Sequence, residues 1–185
     1  MSDKPDWVSD DLRWVVADWR KCEMDRLVFG FKEVLNEFGL QVYEEPGPGS
    51  DRCTYYITEK EITSGQLEVL GSSIYDWWDE HGREPIPADL NFGFKWQMVS
   101  FDWDDERWVG REFKEAACFF GVNVYQTPFR KKFLRYTVTR DNLSDKEVKK
   151  LESQYFCGKV ASKKEIKVDY KMLISQETME KVTSY

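Results

Sequence analysis

Two aspartates one residue apart, Asp102 and Asp104, follow an apolar run in Phe101-Asp102-Trp103-Asp104-Asp105-Glu106. At the end of a strand, such a pair can attack a phosphate and hold Mg²⁺. His81, the single histidine, lies in Asp79-Glu80-His81-Gly82, where neighbouring acids could orient it as a base. The cysteines Cys22, Cys53, Cys118 and Cys157 form no C-x-x-C pair. A zinc site needs closer ligands, so reduced thiols acting as small apolar residues are expected.

Each of these groups also has a plain structural role. Acids at a helix start offset its amide dipoles by about 0.3–1 kcal/mol, and a histidine just before a glycine suits a helix end. In Gly47-Pro48-Gly49 the proline removes an amide that a phosphate would need, and no helix follows directly. The Asp102-Trp103-Asp104 segment resembles the first motif of the haloacid-dehalogenase-type phosphatases, which would imply Mg²⁺-dependent phosphoryl transfer with the ion on Asp102 and Asp104. Glu106 stands where that family usually has Thr or Val, and its alternating parallel-sheet pattern is missing. No catalytic residue, metal or cofactor is therefore assigned, and a non-enzymatic protein is expected.

The elements that would position these residues are organised by an internal repeat. Slid by 82 positions, Arg13–Pro46 matches Lys95–Pro128 at nine of 34 residues, among them Trp14/Trp96, Phe31/Phe113, Phe38/Phe120, Gly39/Gly121, Tyr43/Tyr125 and Pro46/Pro128. After the next loop the offset becomes 81, pairing Tyr55 with Tyr136 and Leu70 with Leu151. The spacing predicts a helix burying Leu27, Phe31, Val34, Leu35 and Phe38, repeated by Val109, Phe113, Ala116, Ala117 and Phe120. Gly39 and Gly121 then stop those helices, and Thr63-x-x-Gln66 and Ser144-x-x-Glu147 start the next two as capping boxes. Hairpin arms are expected over 40–45 with 52–59 and over 122–127 with 133–140. Further strands are expected around Phe92–Met98 and Ile166–Ile174.

The expected fold is α+β, a tandem duplication of a βαββα(β) module in a ferredoxin-like, split βαβ arrangement. Arg83–Asp89, with two prolines, reads as the linker, giving an acidic N-terminal module over 1–88 and a basic C-terminal module over 89–185. Residues 1–110 carry 24 acidic and 11 basic residues, and residues 111–185 carry 10 and 16, so the net charge of −7 hides two ends of opposite sign.

In Thr127–Tyr136, the basic residues Arg130, Lys131, Lys132 and Arg135 are interleaved with the aromatics Phe129, Phe133 and Tyr136 on a hairpin, a pattern that can pair with phosphates while rings stack on bases. The segment resembles the stacking strand of RNA-recognition motifs but lacks the glycine between Lys132 and Phe133. On sequence parity, Arg135, Thr137 and Thr139 would line the open sheet face.

The acidic module repels nucleic acid, attracts basic protein surfaces and has the charge of a nucleic-acid mimic. Trp77 and Trp78, with Glu44 and Glu45, are the candidate contacts for a protein partner, because aromatic residues dominate interface energetics. With 41% hydrophobic and 16% aromatic residues the chain has material for a core. It contains neither a membrane-length apolar run nor a signal-peptide pattern at its start, so a soluble, cytoplasmic protein without a membrane partner is expected. The function expected is macromolecule binding. A protein partner leads, with an inhibitor or regulator role of the kind small viral or mobile-element proteins play; nucleic-acid binding through 129–135 is the alternative, and phosphoryl transfer is third.

Overall fold

The computed structural model describes residues 11–18, 24–46, 52–82, 86–87, 90, 92–102, 109–129, 131, 133–156 and 165–166. The chain is mixed α+β. In order, its elements are β1 (Arg13–Asp18), α1 (Met24–Glu37), β2 (Gln41–Pro46), β3 (Arg52–Thr58), α2 (Ser64–His81), β4 (Trp96–Asp102), α3 (Val109–Phe119), β5 (Asn123–Phe129), β6 (Phe133–Thr139), α4 (Asp145–Phe156) and β7 (Glu165–Ile166).

The local signals have clear physical outcomes. All five apolar stripe positions of the first helical segment, and all five of its counterpart, are buried. Gly39 and Gly121 take φ of 81° and 72°, and the amides of Leu40 and Val122 reach back to the carbonyls of Leu35 and Ala117 at 3.0 Å each. This is the six-to-one closure that a left-handed glycine permits. At α2, the Gln66 amide donates to Thr63 Oγ1 while the Gln66 side chain accepts from the Thr63 amide at 2.8 Å. Ser144 and Glu147 form the same pair of bonds at α4. Each box is preceded by a tyrosine latch: Tyr43 Oη accepts the Ile62 amide at 2.9 Å, and Tyr125 Oη accepts the Leu143 amide at 2.7 Å.

The chain divides into two compact units, one of Met1–Val34 with Val124–Tyr185, the other of Leu35–Asn123. In the first, the sheet order is β5-β6-β1-β7, with β1 antiparallel to β6 and parallel to the short β7. In the second, β2, β3 and β4 form an antiparallel sheet in that order. The opening strand β1 thus pairs with β6, while β4 pairs with β3.

Both sheets are covered on two faces. Side chains alternate along a strand, and on β3 Tyr55 meets Phe113 of α3 at 5.7 Å between ring centroids, whereas Tyr56 packs with Leu70 and Ile74 of α2. In the other unit Tyr136 of β6 meets Phe31 of α1 at 5.1 Å, while Trp14 of β1, opposite Thr137, packs with Val148 and Leu151 of α4. A ferredoxin-like layer would keep both helices on one face.

This two-sided covering corrects the expectation of an open sheet face. Arg135, Thr137 and Thr139 are 2%, 0% and 0% exposed, because the face they share with Trp14 packs against α4. A second difference concerns Phe92 and Phe94. They precede β4, which starts only at Trp96, and pack against the same apolar cluster as Trp96. Of the expected linker only residues 86–87 are described, and of the expected C-terminal strand only Ile166, the second residue of β7.

Candidate interaction surface

The Leu35–Asn123 unit holds 18 acidic and 7 basic residues, a formal charge of −11. Helix α2 concentrates it. Its inner face buries Leu70, Gly71 and Ile74, and at 100° per residue the opposite stripe consists of Gly65, Glu68, Val69, Ser72, Asp76, Asp79 and Glu80, all exposed. Four of these are acids, and the helix has no Lys or Arg. Near its N-terminal end an open groove of about 320 Å³ is lined by Thr63, Gly65, Gln66, Val69, Phe92 and Phe94. Val69 is 56% exposed, the most of the large apolar side chains exposed among the described residues.

The four residues expected to contact a partner take different roles. Glu44 is exposed and accepts from the buried Cys53 thiol at 3.3 Å. Glu45 is half-buried; its carboxylate accepts from Tyr56 Oη at 2.6 Å and lies where a side chain at Gly71 would stand. Trp78 packs edge-on to Tyr75 at 5.9 Å and against the apolar cluster around Trp96. Trp77 is half-buried and stacks on His81 at 3.8 Å, nearly parallel. His81 closes α2, its Nδ1 3.2 Å from the Trp77 carbonyl oxygen, and Gly82 follows at φ 71°. Among these four, Glu44 alone is fully on the surface, and the exposed acids of α2 were not among the expected partner contacts. Their signal was present in the helical spacing of Glu68, Asp76, Asp79 and Glu80 after a recognisable capping box.

The basic set is not brought together among the described residues. Lys131 is exposed, whereas Arg130 and Lys132 lie outside them. The Arg135 guanidinium lies over the Phe129 ring at 3.8 Å and the Trp14 ring at 5.4 Å, buried between aromatic faces. Asp102 ends β4, and Asp104 with the Gly47-Pro48-Gly49 turn lies outside the described residues, as do Cys22 and Cys157. No group of three His, Cys, Asp or Glu suited to a metal occurs among the described residues. No helix among them is long and apolar enough to cross a membrane.

Elsewhere in the acidic unit, burial and then repulsion from Glu115 push the Glu112 carboxyl of α3 above its ordinary value. Arg111 offsets this and pairs with Glu115 at 3.1 Å. No family model, curated protein or solved structure matches this chain.

Proposed function

We propose that this chain acts by binding another protein, without catalysing a reaction, through the acidic unit Leu35–Asn123. The observation that carries this reading is the outer stripe of α2, where exposed acids accumulate on a helix that has no Lys or Arg and whose one basic residue, His81, lies 4.0 Å from Glu80. Asp76, Asp79 and Glu80 sit in the C-terminal half of the helix, the end at which the macrodipole disfavours negative charge. Asp76 and Glu80 are also a like-charge i,i+4 pair, which weakens a helix by about 0.2–0.5 kcal/mol. An arrangement that costs the free protein stability is understandable where a basic surface relieves it in a complex. The charge supports a regulator or inhibitor that occupies a basic surface, including one that otherwise binds nucleic acid.

The test is capture by the tagged full chain from lysate, with nuclease, beside a variant carrying Glu68→Gln, Asp76→Asn, Asp79→Asn and Glu80→Gln. A stoichiometric protein retained by the native chain and lost by the variant supports the reading. Retention that collapses with nuclease in both would transfer the function to nucleic acid and to the residues around Lys131.

We also infer that the chain is a tandem duplication, with copies over 1–88 and 89–185 whose opening strand-helix arms have changed places. The support is reciprocal. The strand and helix that begin the first copy, β1 and α1, join β6 through the β1–β6 ladder and the Phe31–Tyr136 contact. Those that begin the second, β4 and α3, join β3 through the β3–β4 ladder and the Phe113–Tyr55 contact. Phe31 and Phe113 are related by the 82-residue offset, and Tyr55 and Tyr136 by the 81-residue one. The same contact is therefore made twice, each time between different copies.

A further inference from the structure

We propose that the groove at the start of α2 and the acidic stripe running from it form one docking site for a cationic, amphipathic segment of a partner protein. This rests on the protein-binding reading above and names the chemistry of the partner. Val69, at the groove, and Ser72, Asp76 and Glu80 recur at helical spacing, so a rod lying along α2 meets an apolar hollow first and the carboxylates of the C-terminal half after it. Phe92 and Phe94 form the opposite wall of the hollow, on the segment leading into β4.

The two halves of the site select different features of the occupant. A large apolar side chain entering the groove removes Val69 from water and gains the ring faces of Phe92 and Phe94. Lysines or arginines two and three helical turns further along then face Asp76, Asp79 and Glu80. These charges are exposed, so they speed encounter and set orientation more than they add affinity. An anionic or purely apolar segment meets repulsion or uncompensated desolvation along the stripe, which is how the acids exclude other helices. The site therefore reads position as well as charge: an apolar anchor at one end, cations at the other.

The experiment uses the full chain and a fluorescein-labelled peptide of leucine and lysine at amphipathic helical spacing, followed by anisotropy at low and physiological salt. Controls are a scrambled peptide of the same composition, a lysine-only peptide of the same charge, and a peptide with glutamate in place of lysine. The amphipathic peptide is expected to bind about tenfold tighter than the scrambled or lysine-only peptide, and the glutamate peptide not to bind. Val69→Ser, an exposed position whose change leaves the core intact, should erase most of that tenfold preference. Asp76→Asn with Asp79→Asn and Glu80→Gln should weaken the amphipathic peptide about tenfold at low salt and flatten its salt dependence. Circular dichroism and thermal melting confirm that each variant is folded.

Equal binding of the three cationic peptides, or indifference to Val69→Ser, overturns the docking site. If the captured lysate protein is still lost on neutralising the acids but not on Val69→Ser, the site falls while the protein-binding function stands. If neutralising the acids affects neither peptide nor lysate protein, both fall together.

Discussion

The Tyr56 hydroxyl donates to the Glu45 carboxylate at 2.6 Å within the Leu35–Asn123 unit, from a side chain that is 1% exposed. Burial first, and then the carboxylate it bonds, push the phenol well above its ordinary pKa, so it remains a donor across the accessible pH range. Tyr56→Phe leaves a half-buried carboxylate without that donor. The expected cost is about 1.5–3 kcal/mol, as for hydrogen bonds to charged groups. In urea it appears as a lower midpoint with an unchanged slope. An unchanged midpoint would show that water serves Glu45 equally well.

The same carboxylate makes Gly71 testable. A Cβ at Gly71 would overlap the Glu45 carboxylate, so Gly71→Ala must displace it from Tyr56. Alanine in a helix interior otherwise stabilises by about 1 kcal/mol over glycine. The two effects oppose each other in the native background, and the substitution should be neutral or destabilising there. Combined with Glu45→Ala, only the propensity gain remains, and Gly71→Ala should then stabilise by about 1 kcal/mol. A double-mutant cycle measures the coupling. Additive effects would mean that the carboxylate has room to move without loss.

The two capping boxes offer an internal control for pH. The hydrogen bonds from Ser144 hold the Glu147 carboxyl below its ordinary range, whereas the α2 box uses Gln66, which does not titrate. A folded pKa below the unfolded value means that the contribution is complete above the ordinary carboxylate range, about 4.3. It is lost as pH falls through the depressed folded value. On acidification, amide exchange at the start of α4 should therefore rise before that at the start of α2. Glu147→Gln should remove the difference. Equal acid sensitivity at both helix starts would rule out the Glu147 side chain as its source.

Local structure was legible in this sequence because its determinants are local. Gly39, Gly121 and both capping boxes act within a turn of the residues they control, so spacing alone located them. The pairing of strands was not legible, since β1 has the alternation needed to join any hairpin, and nothing in Arg13–Asp18 names β6 rather than β3 as its neighbour. Parity also misplaced Arg135. It correctly separates Arg135 from Tyr136, but it cannot reveal that α4 covers Arg135's face and that Phe129 and Trp14 accept its guanidinium. For the proposed binding surface, attention to large aromatics favoured Trp77 and Trp78. Both are partly withdrawn into their own helix and core, leaving the smaller Val69 and the acids outside.

The proposed exchange of arms makes a prediction that separates it from two independent sequence modules. Val15 in β1 is fully buried and stands opposite Tyr136 of β6. Val15→Ala removes two methyl groups from that contact at a cost of about 2 kcal/mol. Loss of packing propagates first through the sheet that contains the cavity, because local opening follows cooperative units and not chain order. Hydrogen–deuterium exchange on the full chain should therefore accelerate over β5 and β6, more than a hundred residues away in sequence, while β2 and β3 keep their native protection. A variant in the other unit, Val99→Ala in β4 opposite Tyr55, should show the converse, loosening β2 and β3 and sparing β6. Acceleration confined to the sequence copy that carries each substitution would overturn the exchange, since it would mean that the copies unfold as the modules 1–88 and 89–185.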